Sequence, residues 1–115
     1  MKKKKTLQVD NDGKTVRDFI FISDISKGIE LILNYDGDKE IFNISSGKGT
    51  KLESVINIFK QLGISPAIDL LPVKQKDESI LSNQLSKDIL KFTEIINIEE
   101  GATMYYKYLK KENII

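Results

Sequence analysis

No cysteine and no histidine occur in the 115 residues, and Arg17 is the only arginine among 18 basic residues. Without cysteine there is no disulfide, no thiol nucleophile and no thiolate ligand. Without histidine the usual zinc ligand, the imidazole base and the pH switch near neutrality are also gone. No metal site is expected. The net charge of +1 gives no electrostatic case for nucleic acid. Apolar runs fall far short of the roughly 20 residues that cross a bilayer, and the lysine-rich start lacks the apolar stretch of a signal peptide. These absences make a cytoplasmic protein the expectation, with neither a nucleic-acid nor a membrane partner.

What is present is globular in composition, with 40% hydrophobic and 30% charged residues in a length that suits one domain. Residues 1–5 read as a basic, disordered tip, and residues 6–115 as the folded segment. Thr6–Val9 reads as a short strand and Asp10-Asn11-Asp12-Gly13 as a turn. Val16–Ile22 is a continuous β-favouring run, a strand with apolar surroundings on both faces. Ser23 or Asp24 caps a helix carrying Ile25, Ile29, Ile32 and Leu33 at helical spacing.

A second strand is expected over Glu40–Ile44. Thr50 and Glu53 then read as a capping box opening a helix with Leu52, Val55, Ile56, Phe59 and Leu62 on one face. Ala67–Leu71 is a further strand and Ser82–Lys91 a helix. Asn97 and Glu100 cap a last helix. From Val16 onward the order is strand, helix, strand, helix, strand, helix, helix. That order predicts an α/β fold, a small mixed or partly parallel sheet with four helices, whose three strands right-handed crossovers join in parallel. Three strands are few for a doubly wound sheet, so the pattern reads as part of a larger layer.

Few residues offer chemistry. Ser45–Thr50 lies between a strand and a helix, where exposed amides can meet phosphate, but neither GxxxxGK[ST] nor GxGxxG is present. A tight turn followed by a capped helix accounts for it. Tyr105 and Tyr108 fit the apolar stripe of the last helix and read as core. Arg17 is different, because a guanidinium fork holds two oxygens of a phosphate at fixed geometry and lysine does not. A salt bridge with Asp18 or Asp24 explains it equally well from composition.

Gly13, Arg17-Asp18-Phe19-Ile20, Ile22 and Asp24, followed by Phe42-Asn43-Ile44-Ser45 and Gly47, resemble the C-terminal third of the extended short-chain dehydrogenase/reductase family. The similar branch is the NAD-dependent nucleotide-sugar epimerases and dehydratases, typified by UDP-glucose 4-epimerase. Pro72–Ser79 resembles the family's P-x-R-x-G-D-x segment, with Lys74 at the arginine, Lys76 at the glycine and Asp77 retained. Ile98-Glu99-Glu100-Gly101 matches the opening of the last helix.

The resemblance implies the C-terminal substrate-binding part of an extended Rossmann-type epimerase. It implies Arg17 as a ligand of a UDP-sugar-like diphosphate, Lys74 as a weakened second one, Asp24 as a capping residue and Asn43 as support for the strand-end turn. NAD is implied for a full-length relative only. The family's GxxGxxG loop is absent, and Tyr106 with Lys110 has Tyr-x-x-x-Lys spacing in a helix that carries no catalysis in the family. No catalytic and no cofactor-binding residue is therefore expected in this segment. A missing N-terminal nucleotide-binding domain, or further copies of the chain, is the expected partner. A stand-alone binding module and a structural or oligomerisation domain are the alternative readings.

Overall fold

The computed structural model describes residues 5–115; residues 1–4, most of the basic tip, lie outside the described residues, and Lys5 is exposed. β1 (Leu7–Val9) pairs in parallel with β4 (Ile68–Leu70), placing Val9 opposite Leu70. β2 (Val16–Arg17) lies between β3 (Thr50–Lys51), which is antiparallel to it, and β5 (Glu78–Ser79), which is parallel. The helices are α1 (Ile22–Leu33), α2 (Leu52–Gln61), a single π-turn over Ser86–Leu90, and α3 (Ile98–Lys111). The architecture is α/β, four helices with small, mixed, partly parallel sheets.

The turn after β1, Asp10–Gly13, depends on its residue types. Asn11 (φ 52, ψ 36) and Asp12 (φ 51, ψ 32) are both left-handed, a region that asparagine and aspartate enter most readily after glycine. Buried Asn11 donates to Thr15 Oγ1 (3.3 Å) and accepts from the Lys74 amide (3.0 Å), which ties the turn to the segment after β4. Gly13 has φ 73, and a Cβ there would lie 3.0 Å from Glu53 Cβ. Gly28 serves close approach instead: a Cβ would meet Ile44 Cγ2 at 2.6 Å, so α1 lies directly on the chain at residue 44.

Apolar burial is sparse. Val9, Val16, Leu90, Phe92 and Ala102 are the buried hydrophobic residues, fewer than the buried polar ones, Asn11, Asp24, Ser45, Ser46, Asn83 and Ser86. Hydrogen bonds therefore carry much of the cohesion. Ser86 Oγ donates to Asn43 O (2.6 Å), Asn83 Nδ2 to Ser45 O (2.9 Å), Ser45 Oγ to Leu81 O (3.0 Å) and Asn43 Nδ2 to Ser82 O (3.0 Å). These four bonds lace residues 43–45 to residues 81–86 without a ladder.

Several expectations are corrected. The strand at Val16 ends at Arg17, and Glu40–Ile44 is not a strand. An extended, β-favouring segment becomes a strand only beside a partner, and residues 19–21 and 40–44 have none among the described residues. The chain is not three parallel strands joined by crossovers, since β2 and β3 are antiparallel.

The Thr50/Glu53 capping box does not form. Thr50 pairs with Arg17 in the ladder, Lys51 occupies the N-cap without a side-chain bond, and Glu53 bonds Lys14 Nζ at 2.7 Å. Asp24 is not an N-cap either, because Phe21, with extended backbone, precedes the first helical residue. The expected helix over Ser82–Lys91 shortens to the turns ending at Leu90, where Lys91 turns left-handed (φ 58). Asn97 does cap α3, its Oδ1 accepting from the Glu100 amide at 2.8 Å. No helix among the described residues is long and apolar enough to cross a membrane.

Candidate functional site

Successive side chains of a strand face opposite ways, so buried Val16 sends Arg17 outward. The Val16 amide donates to Asp77 O (2.9 Å), which brings Asp77 alongside the end of β2. From there its carboxylate accepts from both terminal nitrogens of Arg17, Nη1 to Oδ1 at 3.0 Å and Nη2 to Oδ2 at 2.9 Å. Nη1 also donates to Val16 O at 2.9 Å. The pair remains at the surface, with side chains 45% and 41% exposed. The Arg17 bond holds the Asp77 carboxyl below its ordinary value, and the same bond raises Arg17.

Neither of the partners expected for Arg17 is used. The Asp18 carboxylate accepts from the amides of Ser46 (2.9 Å) and Gly47 (2.9 Å) and from Ser46 Oγ (2.6 Å). Asp24, 2% exposed, accepts from the amides of Ile95 (3.2 Å) and Ile96 (2.9 Å). The partner that sequence reasoning missed is Asp77. A signal for it existed, because Asp77 stands at the aspartate of the P-x-R-x-G-D-x pattern that also supplies Lys74.

Lys74 is joined to the turn at Asn11 through its backbone amide, and its ammonium makes no ion pair among the described residues. It lies three residues before Asp77 in the chain. Next to the pair is a cleft of about 320 Å³ lined by Asn11, Lys14, Val16, Val73, Lys76 and Asp77, among others. Lys14 and Lys76 in its wall pair with Glu53 (2.7 Å) and Glu78 (3.7 Å).

Glu94 was not foreseen, and nothing in its sequence context marks it. Its side chain is 11% exposed and 3.7 Å from Lys48 Nζ. Burial raises its pKa first, Lys48 opposes this, and the negative charges of Asp24 and Asp18 add to the rise.

The remaining candidates do not form a site. Tyr105 and Tyr108 are not core residues: they are 50% and 54% exposed and stack on each other with ring centroids 6.4 Å apart. Helical spacing alone cannot distinguish a face that meets a neighbour from one left open. Lys110 Nζ lies over the Tyr106 ring, 5.5 Å from its centroid, in a cation–π contact. In the Ser45–Gly49 turn, Asp18 takes the amides of Ser46 and Gly47 and Ser46 Oγ takes that of Lys48, so these three are not free to meet a phosphate.

No protein-family model matches the chain. An uncharacterized protein of Methanocaldococcus jannaschii is 35% identical over 104 residues, 88% of this chain and 32% of that protein. The structure of UDP-glucose 4-epimerase from Thermotoga maritima with UDP-glucose superposes with a TM-score of 0.77 and 27% identity, over 93% of this chain and 35% of that one. The chain is homologous to the NAD-dependent epimerase/dehydratase family. MoeE5, in a structure with UDP-glucuronic acid and NAD, shares the fold at a TM-score of 0.83 and 18% identity, over 93% of this chain and 37% of that one. This epimerase homologue spans about a third of the length of the curated relatives it matches.

Proposed function

We propose that the chain is the C-terminal, sugar-nucleotide-binding portion of an NAD-dependent epimerase/dehydratase of the cytoplasm. In this reading Arg17 holds the diphosphate of a UDP-sugar-like ligand and Lys74 adds a second positive charge. The observation that carries it is the placement of the single guanidinium. Arg17 stands at the exposed end of β2, oriented by Asp77 rather than buried in a core pair. The Lys74 ammonium is left available beside the same segment of chain.

Catalysis is not assigned to this chain, since its sequence has no GxxGxxG loop and no Tyr-Lys pair is joined through the hydroxyl among the described residues. A nucleotide-binding domain supplies both in this reading, and it is the partner that the exposed apolar surface fits. Ile22, Leu33 and Ile41, each more than 70% exposed, support that association. The test is calorimetric titration of the purified chain with UDP, together with a turnover assay on UDP-glucose with added NAD. Weak UDP binding without turnover is expected. Turnover, or absence of UDP binding, overturns the reading.

A further inference from the structure

Arginine carries five N–H donors arranged along fixed edges. Three are used here: both terminal nitrogens give one hydrogen to Asp77, and Nη1 gives its other to Val16 O. The two that remain, on Nε and on the far side of Nη2, are parallel and lie on one edge of the guanidinium. Neither has a partner among the described residues. That edge has the spacing to take two oxygens of one phosphate.

We infer that Asp77 is a positioning residue, which clamps the end of the Arg17 guanidinium so that its free side edge is presented to the ligand's phosphate. The inference rests on the phosphate-binding role proposed above and gives Asp77 a part in it. Two prongs from the carboxylate and one from the Val16 carbonyl fix the plane of a side chain that otherwise loses rotamer freedom on binding. A carboxylate next to an anion site also repels the ligand. The sign of the net effect therefore separates positioning from competition for the guanidinium.

The experiment is titration of UDP into the wild-type chain, Asp77→Asn, Asp77→Glu, Arg17→Lys and the Asp77→Asn/Arg17→Lys double variant. Positioning predicts that Asp77→Asn weakens UDP binding by about 3- to 10-fold although it removes a negative charge. Asp77→Glu keeps the two-pronged carboxylate and recovers most of the loss. In the Arg17→Lys background Asp77→Asn has no further effect, because the group it positions is gone. Binding by Asp77→Asn that equals or exceeds the wild type overturns the inference and makes Asp77 a competitor. So does an equal loss in the wild-type and Arg17→Lys backgrounds, which marks a general structural defect. No UDP binding by the wild type overturns the phosphate reading itself, and this inference with it.

Discussion

At the scale of the residue, the chain separates charge from geometry. Seventeen lysines supply positive charge, while one position is arginine and is met by a two-pronged carboxylate. Arg17→Lys keeps the charge and loses the fork, so UDP affinity should fall by about 3- to 10-fold in calorimetric titration. Equal affinity of the two proteins would reduce Arg17 to a surface ion-pair residue.

Glu94 gives a residue-scale prediction of the opposite electrostatic sense. Its folded pKa lies above the ordinary 4.5, so the folded state holds its proton longer than the unfolded chain does. Its contribution is most favourable at acid pH and is lost as pH rises from 4.5 through the raised value. Asp77 and Glu53, depressed from 3.8 and 4.5 by Arg17 and Lys14, contribute above those values and lose that contribution as pH falls through the lower folded ones. Glu94→Gln should gain on the wild type as pH rises above 4.5. Urea titrations across pH 4–7 would show this, and curves that stay parallel would refute it.

At the scale of elements, helices were more legible than strands. The repeats of Leu52, Val55, Ile56 and Phe59, and of Ile25, Ile29 and Ile32, lie within α2 and α1. The Asn97 cap was readable because its partner amide lies three residues along the same helix. The Thr50 capping box was misread because Thr50 has a competing partner in β2, 33 positions away in the chain.

Asp24 shows the same limit from the other direction. A helix-start aspartate reads as a cap, yet this one reaches across to the amides of residues 95 and 96 ahead of α3. Asp24→Ala leaves those donors unpaired. We expect it to cost about 2–3 kcal/mol in chemical denaturation. A loss below about 0.5 kcal/mol would mean that water replaces the carboxylate without penalty.

At the scale of the whole molecule, the radius of gyration is 17.0 Å, whereas a compact domain of this length measures about 13 Å. The extents, 51 × 38 × 20 Å, are those of a slab, and its apolar side chains are poorly covered. An apolar groove of about 410 Å³, walled by Phe19, Phe21, Val55, Phe59 and Ile98 among others, runs between α2, α3 and the start of α1. Such surface drives association, and a net charge of +1 offers little repulsion. Light scattering over a concentration series should show dimers or larger species at high micromolar concentration. A monodisperse monomer there would mean that the slab is stable with its apolar face in water.

The sequence by itself determined what lies within a few residues: the amphipathic helices, the turn at Asp10–Gly13, the cap at Asn97 and the excluded chemistries of thiol and imidazole. It also carried the ordered motifs that resemble those of the epimerase/dehydratase family. Tertiary structure alone decided which extended segments became strands, because a ladder needs a partner and the partners are distant in the chain. It decided too where the carboxylates went. Asp18, Asp24 and Asp77 are alike as residues, and each is assigned by the amide or guanidinium that the fold carries within about 3 Å of it.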